Sequence, residues 1–453
     1  MQNQPMFTYD PAMTDMIFEY CRERLAMDPV ALDFGGVVPD LEEALEGLLS
    51  DNGTDPAVVL DRFATHLATA VVSVDSPRFL AFIPAAPTKA SLLFDMVVSA
   101  SSLNGTSWLE AAGAIAAENQ VLSFLARAAG LPEGAGGCFV SGGSMGNLSA
   151  LVVARDRARR RNPELAGKRL RFLVSEEAHS SVASAFRIID VDAVLVPTED
   201  HRLTASNVAA VLEADDDPSS IVAIVATAGT TNAGIVDDLA GIGEIARRTG
   251  RWFHVDAAYG GAAMLSSSRS HLFAGLASVD SFIVDPHKWL FAPFDCAALL
   301  YREPAEARAS HTQNASYLDV IHDAPDEWNP TDYAIHLTRR ARGLAMWFSL
   351  CVNGIAAYRT AIDAGISMAE EAARLIEAHP AVELVRPPGL SVVLFRRPGW
   401  AEGDYASWST RLLNDQIGFV TPTRWEGEMV ARFAFLHPET DAEIVTEILD
   451  TMR

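Results

Sequence analysis

An amine and a carboxylate close two short apolar runs of this chain. Lys288 stands near the end of Ser281-Phe-Ile-Val-Asp-Pro-His-Lys-Trp-Leu290, and Asp256 ends the strand-like part of Trp252-Phe-His-Val-Asp-Ala-Ala-Tyr259. A lysine among apolar residues is costly unless it has a task. If one fold converges the two runs, amine and acid meet in one pocket. Pyridoxal phosphate requires that pair, a lysine for its aldehyde and an acid for its ring nitrogen.

Three further runs end in polar groups. Cys138-Phe-Val-Ser-Gly-Gly-Ser-Met-Gly-Asn147 passes from an apolar segment through glycines into a helical one. Glycines let backbone N–H groups approach an anion, and a helix start adds donors and a favourable dipole. The turn around Gly143 therefore suits a phosphate, with the Ser144 hydroxyl as a further donor. A turn built only for packing has the same pattern. His179, in Glu176-Glu-Ala-His-Ser-Ser181, has a flat ring suited to stacking on a cofactor or to capping the next helix. Thr227-Ala-Gly-Thr-Thr-Asn-Ala-Gly234 ends a run in small hydroxylic residues, fit to bond a ligand or to make a turn. Each feature has a bland reading, but five strand ends in succession offer polar groups to one face. Gly142-Gly-Ser-Met-Gly146 also matches the G-x-S-x-G turn of serine hydrolases, with Ser144 as nucleophile and Asp256 and His287 in the hydrolase order. No HGGG-type segment accompanies it and Lys288 has no role in that chemistry, so the hydrolase stands as the alternative from another class.

The elements that must hold these residues are short apolar runs: Cys138 to Val140, Arg171 to Val174, Val194 to Pro197, Ile221 to Thr227, Trp252 to Val255, Phe282 to Val284 and Ala297 to Tyr301. Parallel strands buried on both faces have this composition. Their alternation with helical stretches predicts an α/β sheet with ligands at the carboxyl ends of its strands. Ahead of it, helices are expected over Met13 to Leu25, Leu41 to Leu49 and Ala57 to Val72, each after a cap-like signal. They make a poor core alone and are expected to pack on something larger, such as a partner subunit. Helical periodicity returns from Ala90 to Ala129, broken at Leu103-Asn-Gly-Thr-Ser107, and from about Thr338 to Ala378. Beyond Pro380, strands at Val382 to Val385, Val392 to Arg396 and Ala431 to Leu436 mix with two helices. The expected division is a helical segment over 1–75, a large cofactor-binding α/β domain over 76–378 and a small α+β domain over 379–453.

The chain's 453 residues exceed one compact core. Lys plus Arg number 35 against 59 Asp plus Glu, a net charge of −24 that repels nucleic acid and anionic membranes and leaves small molecules or protein as partners. The basic stretch Arg155-Asp-Arg-Ala-Arg-Arg-Arg161 falls at a helix end, where cations complement the dipole, and is expected to be solvated. Cys21, Cys138, Cys296 and Cys351 form no ligand spacing, so no metal site is expected and the setting is reducing and cytoplasmic. The first ten residues lack a basic start and an apolar core, and no apolar stretch is long enough to span a bilayer.

Ala178-His-Ser-Ser181, Gly229-Thr-Thr231, His254-Val-Asp-Ala-Ala-Tyr259 and Asp285-Pro-His-Lys-Trp-Leu290 with Phe294-Asp-Cys296 fall in an order and spacing that resembles the pyridoxal-phosphate-dependent group II decarboxylases. That family includes the aromatic-L-amino-acid, histidine and glutamate decarboxylases. The likeness extends from roughly Pro77 to Leu350 and more weakly to both ends. It implies the aspartate-aminotransferase type of fold (fold type I), with a mainly parallel seven-stranded sheet. It also implies an obligate homodimer with active sites at the interface and N-terminal helices embracing the partner. By motif position Lys288 is the Schiff-base lysine, Asp256 the partner of the pyridinium and His179 the residue stacked on the ring. Ser144 and the backbone around Gly143 take the phosphate, Thr231 and Ala258 line the cofactor, and Asp285, His287 and Phe294 complete its site.

The implied reaction converts an L-amino acid to its amine and carbon dioxide. In the family a mobile loop carries a tyrosine thought to return a proton to Cα. Here Pro330 takes its position in Pro325-Asp-Glu-Trp-Asn-Pro-Thr-Asp-Tyr333, and Tyr333 follows three residues later. Either Tyr333 substitutes, or His179 or water delivers the proton, or the product is an aldehyde, as in related synthases that lack the tyrosine. Arg340 and Arg342 read as holding that loop or a substrate carboxylate, or as salt bridges at a helix start. Phe82, Pro84 and Trp108 lie in segments that line the family's substrate pocket. Their apolar character favours an aromatic or bulky aliphatic amino acid over glutamate, which needs a cationic partner.

Overall fold

The computed structural model describes residues 5–84, 86–313, 315–321 and 327–453. Asp10 accepts from the Met13 N–H at 3.1 Å and so caps α1 (Pro11–Ala26). Next come α2 (Val38–Leu45) and α3 (Pro56–Arg62), the latter running on into a wider turn over Phe63–Leu67. No residue of α1 is buried, although it carries Ile17 and Phe18. The long helix expected from Ala90 divides, as its Asn-Gly signal indicates, into α4 (Lys89–Ala100) and α5 (Trp108–Ala128).

The seven expected strands all form: β1 (Gly136–Val140), β2 (Arg171–Ser175), β3 (Asp192–Val196), β4 (Ile221–Thr227), β5 (Trp252–Asp256), β6 (Ser281–Val284) and β7 (Ala297–Tyr301). They make one sheet in the order β1-β7-β6-β5-β4-β2-β3, in which β7 is antiparallel to both neighbours and the other pairs are parallel. Between them run α6 (Gly143–Arg161), α7 (Ser180–Ile189), α8 (Ala205–Ala214) and α9 (Leu239–Thr249), while two 3-10 segments bridge β5 to β6. All seven residues of β4 are buried, because helices cover both faces. One core packs α5 and α9 on the sheet, and the other packs α6 and α7. The register sets Thr227 beside Asp256 and Asp256 beside Ile283, so β4, β5 and β6 end level. That alignment brings their terminal side chains together.

Three expectations need correction. The basic end of α6 is not simply solvated: Arg157, Arg160 and Arg161 all reach Glu306 on α10 (Pro304–His311), tying the two helices together. The helix expected from Thr338 begins at Leu344 as α11 (Leu344–Ala378). Its lead-in is fixed by the buried Arg339, which donates to Gly105 O at 2.7 Å and pairs with Glu118 at 2.7 Å, while the Gly343 N–H donates to the same Glu118 oxygen at 2.8 Å. Arg340 and Arg342 are occupied by Asp95 and Asp295, so both serve as structural ion pairs. The C-terminal sheet, β10-β11-β9-β8, contains one strand more than expected. Beside β8 (Glu383–Leu384) and β9 (Val392–Arg396), the short β10 (Thr423–Trp425) pairs with β11 (Glu428–Ala434). The two-residue turn between them, Glu426-Gly427, has φ of 50° and 84°, the left-handed pair that a tight hairpin requires.

The helices α12 (Glu402–Asn414) and α13 (Ala442–Asp450) cover this sheet, and the third core takes Ala369, Ala372 and Ile376 from α11. Because Tyr358, Ile362 and Ile366 of the same helix lie in the first core, α11 links the first core to the third. Among the described residues, no helix is long and apolar enough to cross a membrane.

Candidate active site

The level ends of β4, β5 and β6 and the starts of α6 and α7 enclose a cavity of about 230 Å³. Gly143, Ser144, His179, Thr231, Asp256, Ala258, Asp285, His287 and Lys288 all line it. Nine residues singled out in the sequence therefore converge, from segments up to 145 positions apart (143 to 288).

Each is held by its local structure. Gly143 opens the 19-residue α6, whose first N–H groups have no partner within the helix. A Cβ at Gly143 would lie 3.1 Å from both Ala258 Cβ and an Asp285 carboxylate oxygen, so glycine keeps this wall open. The turn after β6 folds Lys288 back, its N–H donating to Asp285 O at 2.9 Å and its Nζ lying 2.9 Å from Asp285 Oδ2. The same Oδ2 accepts from the Gly143 N–H at 3.2 Å. Among the described residues, Asp285 Oδ1 is buried without a hydrogen-bond partner. His287 accepts from the Cys296 N–H on Nδ1 at 3.0 Å, and burial pushes its pKa below the usual value. Asp256 accepts from Asn147 Nδ2 at 2.8 Å on Oδ2 and from the Ala258 N–H at 3.1 Å on Oδ1.

His179 combines a cap with a place in the cavity wall. It caps α7, its Nδ1 accepting from the Ser181 N–H at 3.2 Å, and it faces the cavity. The hydrolase arrangement does not form, since His287 and Asp256 are engaged by the Cys296 N–H and by Asn147 rather than by each other.

Five other expected residues lie outside the cavity lining. Phe294 is exposed, its ring 5.0 Å from that of His287. Phe82, Pro84 and Trp108 do not reach the cavity within this chain. Phe82, 60% exposed, is nevertheless tied to its rim: the buried Arg432 donates to Phe82 O at 2.6 Å and to Thr231 O at 2.5 Å. Tyr333 is 2% exposed, stacked on Trp328 at 4.2 Å between ring centres, and its carbonyl accepts from the Tyr301 hydroxyl at 3.0 Å. Burial raises its pKa, and within this chain it packs in the core rather than lining the cavity. Pro325 and Asp326 of the same stretch lie outside the described residues.

Asn147, Ser181, Thr227, Gly229 and Tyr259 also line the cavity; they lie in the quoted segments but had no individual role assigned. Asn147 was discoverable, because it stands four residues after Gly143 and so on the same face of α6. Arg432 offered no signal of this kind.

The pyridoxal-dependent decarboxylase conserved domain matches residues 40–397. An aromatic-L-amino-acid decarboxylase of Bacillus atrophaeus is 30% identical over 425 residues, covering 90% of this chain and 87% of the relative. An L-2,4-diaminobutyrate decarboxylase of Rhizobium meliloti (strain 1021) is 30% identical over 431 residues, covering 92% and 84%. Among solved structures, Oryza sativa TDC with PLP and tryptamine superposes with a TM-score of 0.89 at 25% identity, covering 98% of this chain and 100% of that one. The chain belongs to the pyridoxal-dependent decarboxylase family. It is a pyridoxal-phosphate-dependent carboxy-lyase acting on an amino acid, with the fold expected of that class.

The residues present fit the cofactor. The cavity offers an amine, a carboxylate that retains lone pairs beyond those engaged by the Asn147 and Ala258 donors, and a helix start kept clear by Gly143.

Proposed function

We propose that the chain decarboxylates an aromatic L-amino acid to its amine. In this reading Lys288 bonds the cofactor's aldehyde, Asp256 meets its ring nitrogen, His179 covers its face, and the start of α6 with Ser144 holds its phosphate. The carrying observation is the convergence of Lys288, Asp256 and the α6 start on one cavity. When bound, pyridoxal phosphate supplies an electron sink for the pair left behind by carbon dioxide. Asp256, able only to accept, holds a proton on the ring nitrogen. Asp285 holds the Lys288 amine at the cavity wall until it is used. With Tyr333 packed in the core, His179 is the group assigned to return a proton to Cα, which favours amine over aldehyde as product.

Two observations favour an aromatic side chain. Among the described residues no arginine lines the cavity, which argues against an acidic substrate, and the exposed ring of Phe82 stands at a rim fixed by Arg432. Exposed apolar side chains further support a homodimer. Ile17 and Phe18 of α1, Leu93 and Val97 of α4, and Val352 and Ile355 of α11 all lie at the surface, and a second copy of the chain is the partner proposed to cover them. The free cysteines support a reducing compartment, the cytoplasm.

Carbon dioxide release from a panel of amino acids tests the substrate, and light scattering tests the dimer. Release from tryptophan, tyrosine or phenylalanine is expected, with the amine formed and no oxygen consumed. Turnover confined to diaminobutyrate or glutamate would overturn the substrate class. Aldehyde with peroxide would replace the reaction by the oxidative route.

A further inference from the structure

Behind Asp256 a line of buried side chains joins α6, β5 and β6. Asn147 Nδ2 donates to Asp256 Oδ2 at 2.8 Å, and its Oδ1 lies 2.9 Å from His254 Nε2. His254 Nδ1 lies 2.8 Å from Ser281 Oγ, and Trp252 Nε1 lies 2.9 Å from the same hydroxyl. His254 and Ser281 are fully buried.

The chemistry of the two ends fixes the direction of every bond between them. An indole N–H can only donate and a carboxylate can only accept. Trp252 therefore donates to Ser281 Oγ, and the serine's own hydrogen goes to His254 Nδ1. The imidazole must then carry its proton on Nε2 and donate to Asn147 Oδ1, which leaves the amide nitrogen facing Asp256. Reversing any member would set two donors or two acceptors against each other. Burial lowers the His254 pKa to about 4, so the imidazole stays neutral across the working range and the line does not reverse with pH.

Asn147 is also a branch point. Its Nδ2 lies 3.1 Å from Ser181 Oγ, and that hydroxyl lies 2.9 Å from His179 Nδ1. With the amide donating to Ser181, the serine's hydrogen goes to His179 Nδ1, which already accepts from the Ser181 N–H. The proton of His179 is thereby set on Nε2. One amide thus orients both the group proposed to meet the ring nitrogen and the group proposed to cover the ring face.

We propose that Trp252, Ser281, His254 and Asn147 form a one-way hydrogen-bond relay whose function is to position Asp256 and polarise it toward the ring nitrogen of pyridoxal phosphate. This rests on the reading that Asp256 meets that nitrogen. His254 and Asn147 are positioning residues: neither needs to touch the substrate, and each acts through the carboxylate. Donors arranged head to tail reinforce one another in a buried setting, so His254 contributes although it stands one residue removed from Asp256.

The test compares dissociation constants for pyridoxal phosphate and for its analogue with CH in place of the ring nitrogen, so that the readout is binding and not turnover. Wild type is expected to prefer the natural cofactor. His254→Phe should reduce that preference about tenfold. His254→Gln, whose amide can donate to Asn147 and accept from Ser281, should restore most of it. Ser281→Ala, a small change at the far end, should reduce it less and guards against a folding defect in His254→Phe. Nitrogen chemical shifts of His254 in the holoenzyme should report the proton on Nε2. Equal binding of both cofactors by wild type would refute the role of Asp256 itself. A wild-type preference that His254→Phe and Ser281→Ala leave unchanged, or a proton found on His254 Nδ1, would overturn the relay alone.

Discussion

Acid should destabilise this protein through a histidine that the fold refuses to protonate. His254 is fully buried, and its pKa falls from 6.5 to about 4, with burial as the largest cause. Because the folded value is depressed, the unfolded chain takes up a proton under conditions where the folded chain does not. The stability that follows is complete above about pH 6.5 and is lost as the pH falls toward 4. Between pH 7.5 and pH 5 this one group costs about 2 kcal/mol. His336, also lowered to about 4 by burial, adds to the loss with the same sign. Urea unfolding of wild type and His254→Gln across this range isolates the His254 share, since the glutamine keeps a donor toward Asn147 but cannot titrate. The two stability profiles should converge as the pH falls, with wild type losing about 2 kcal/mol more than the variant. Parallel profiles would refute the argument that His254 is held neutral by its surroundings.

Gly143→Val should cost about 3 kcal/mol of cofactor binding, roughly a hundredfold, because its branches would enter a wall already within 3.1 Å of Ala258 and Asp285; equilibrium dialysis measures this, and unchanged circular dichroism confirms the fold. Glu118→Gln should destabilise by about 3 kcal/mol, since it leaves the fully buried Arg339 without its counter-ion, whereas replacing Glu118 and Arg339 together by methionine should recover much of that loss in urea unfolding. Arg432→Met should remove the guanidinium that donates to both the Phe82 and Thr231 carbonyls, costing about 2 kcal/mol and raising the KM for an aromatic substrate more than it lowers kcat.

Much of this architecture was legible because its strands are buried on both faces. Ile221–Thr227 and Ala297–Tyr301 form over the same residues that their apolar runs delimit, and the polar residues that end the runs mark the cavity. The lysine, the aspartate and the glycine turn stood out because each interrupts such a run. His254 was within reach of the same reasoning: it precedes Asp256 by two positions on β5 and so points to the same side of the sheet. Its importance was hidden because the bonds that carry it pass through Asn147 and Ser281, on other elements. Arg432 was hidden more deeply, since it joins Phe82 and Thr231 across 350 and 201 positions. The packing of Tyr333 was not visible because an aromatic residue near a loop motif gives no sign that Trp328 will stack on it. The basic end of α6 was read from its own helix alone, and its partner Glu306 lies on another. Local pattern was sufficient for elements and strand ends, and it failed where one side chain's role depends on a distant contact.

The central claim is that Lys288 is the amine that bonds the cofactor. The chain contains three lysines, Lys89, Lys168 and Lys288, so reduction of the holoenzyme with borohydride followed by peptide mass analysis gives an unambiguous answer. The account predicts the mass of one reduced pyridoxyl phosphate on the peptide containing Lys288, absent from Lys288→Ala. Its appearance at Lys89 or Lys168 with Lys288 unmodified would contradict the account.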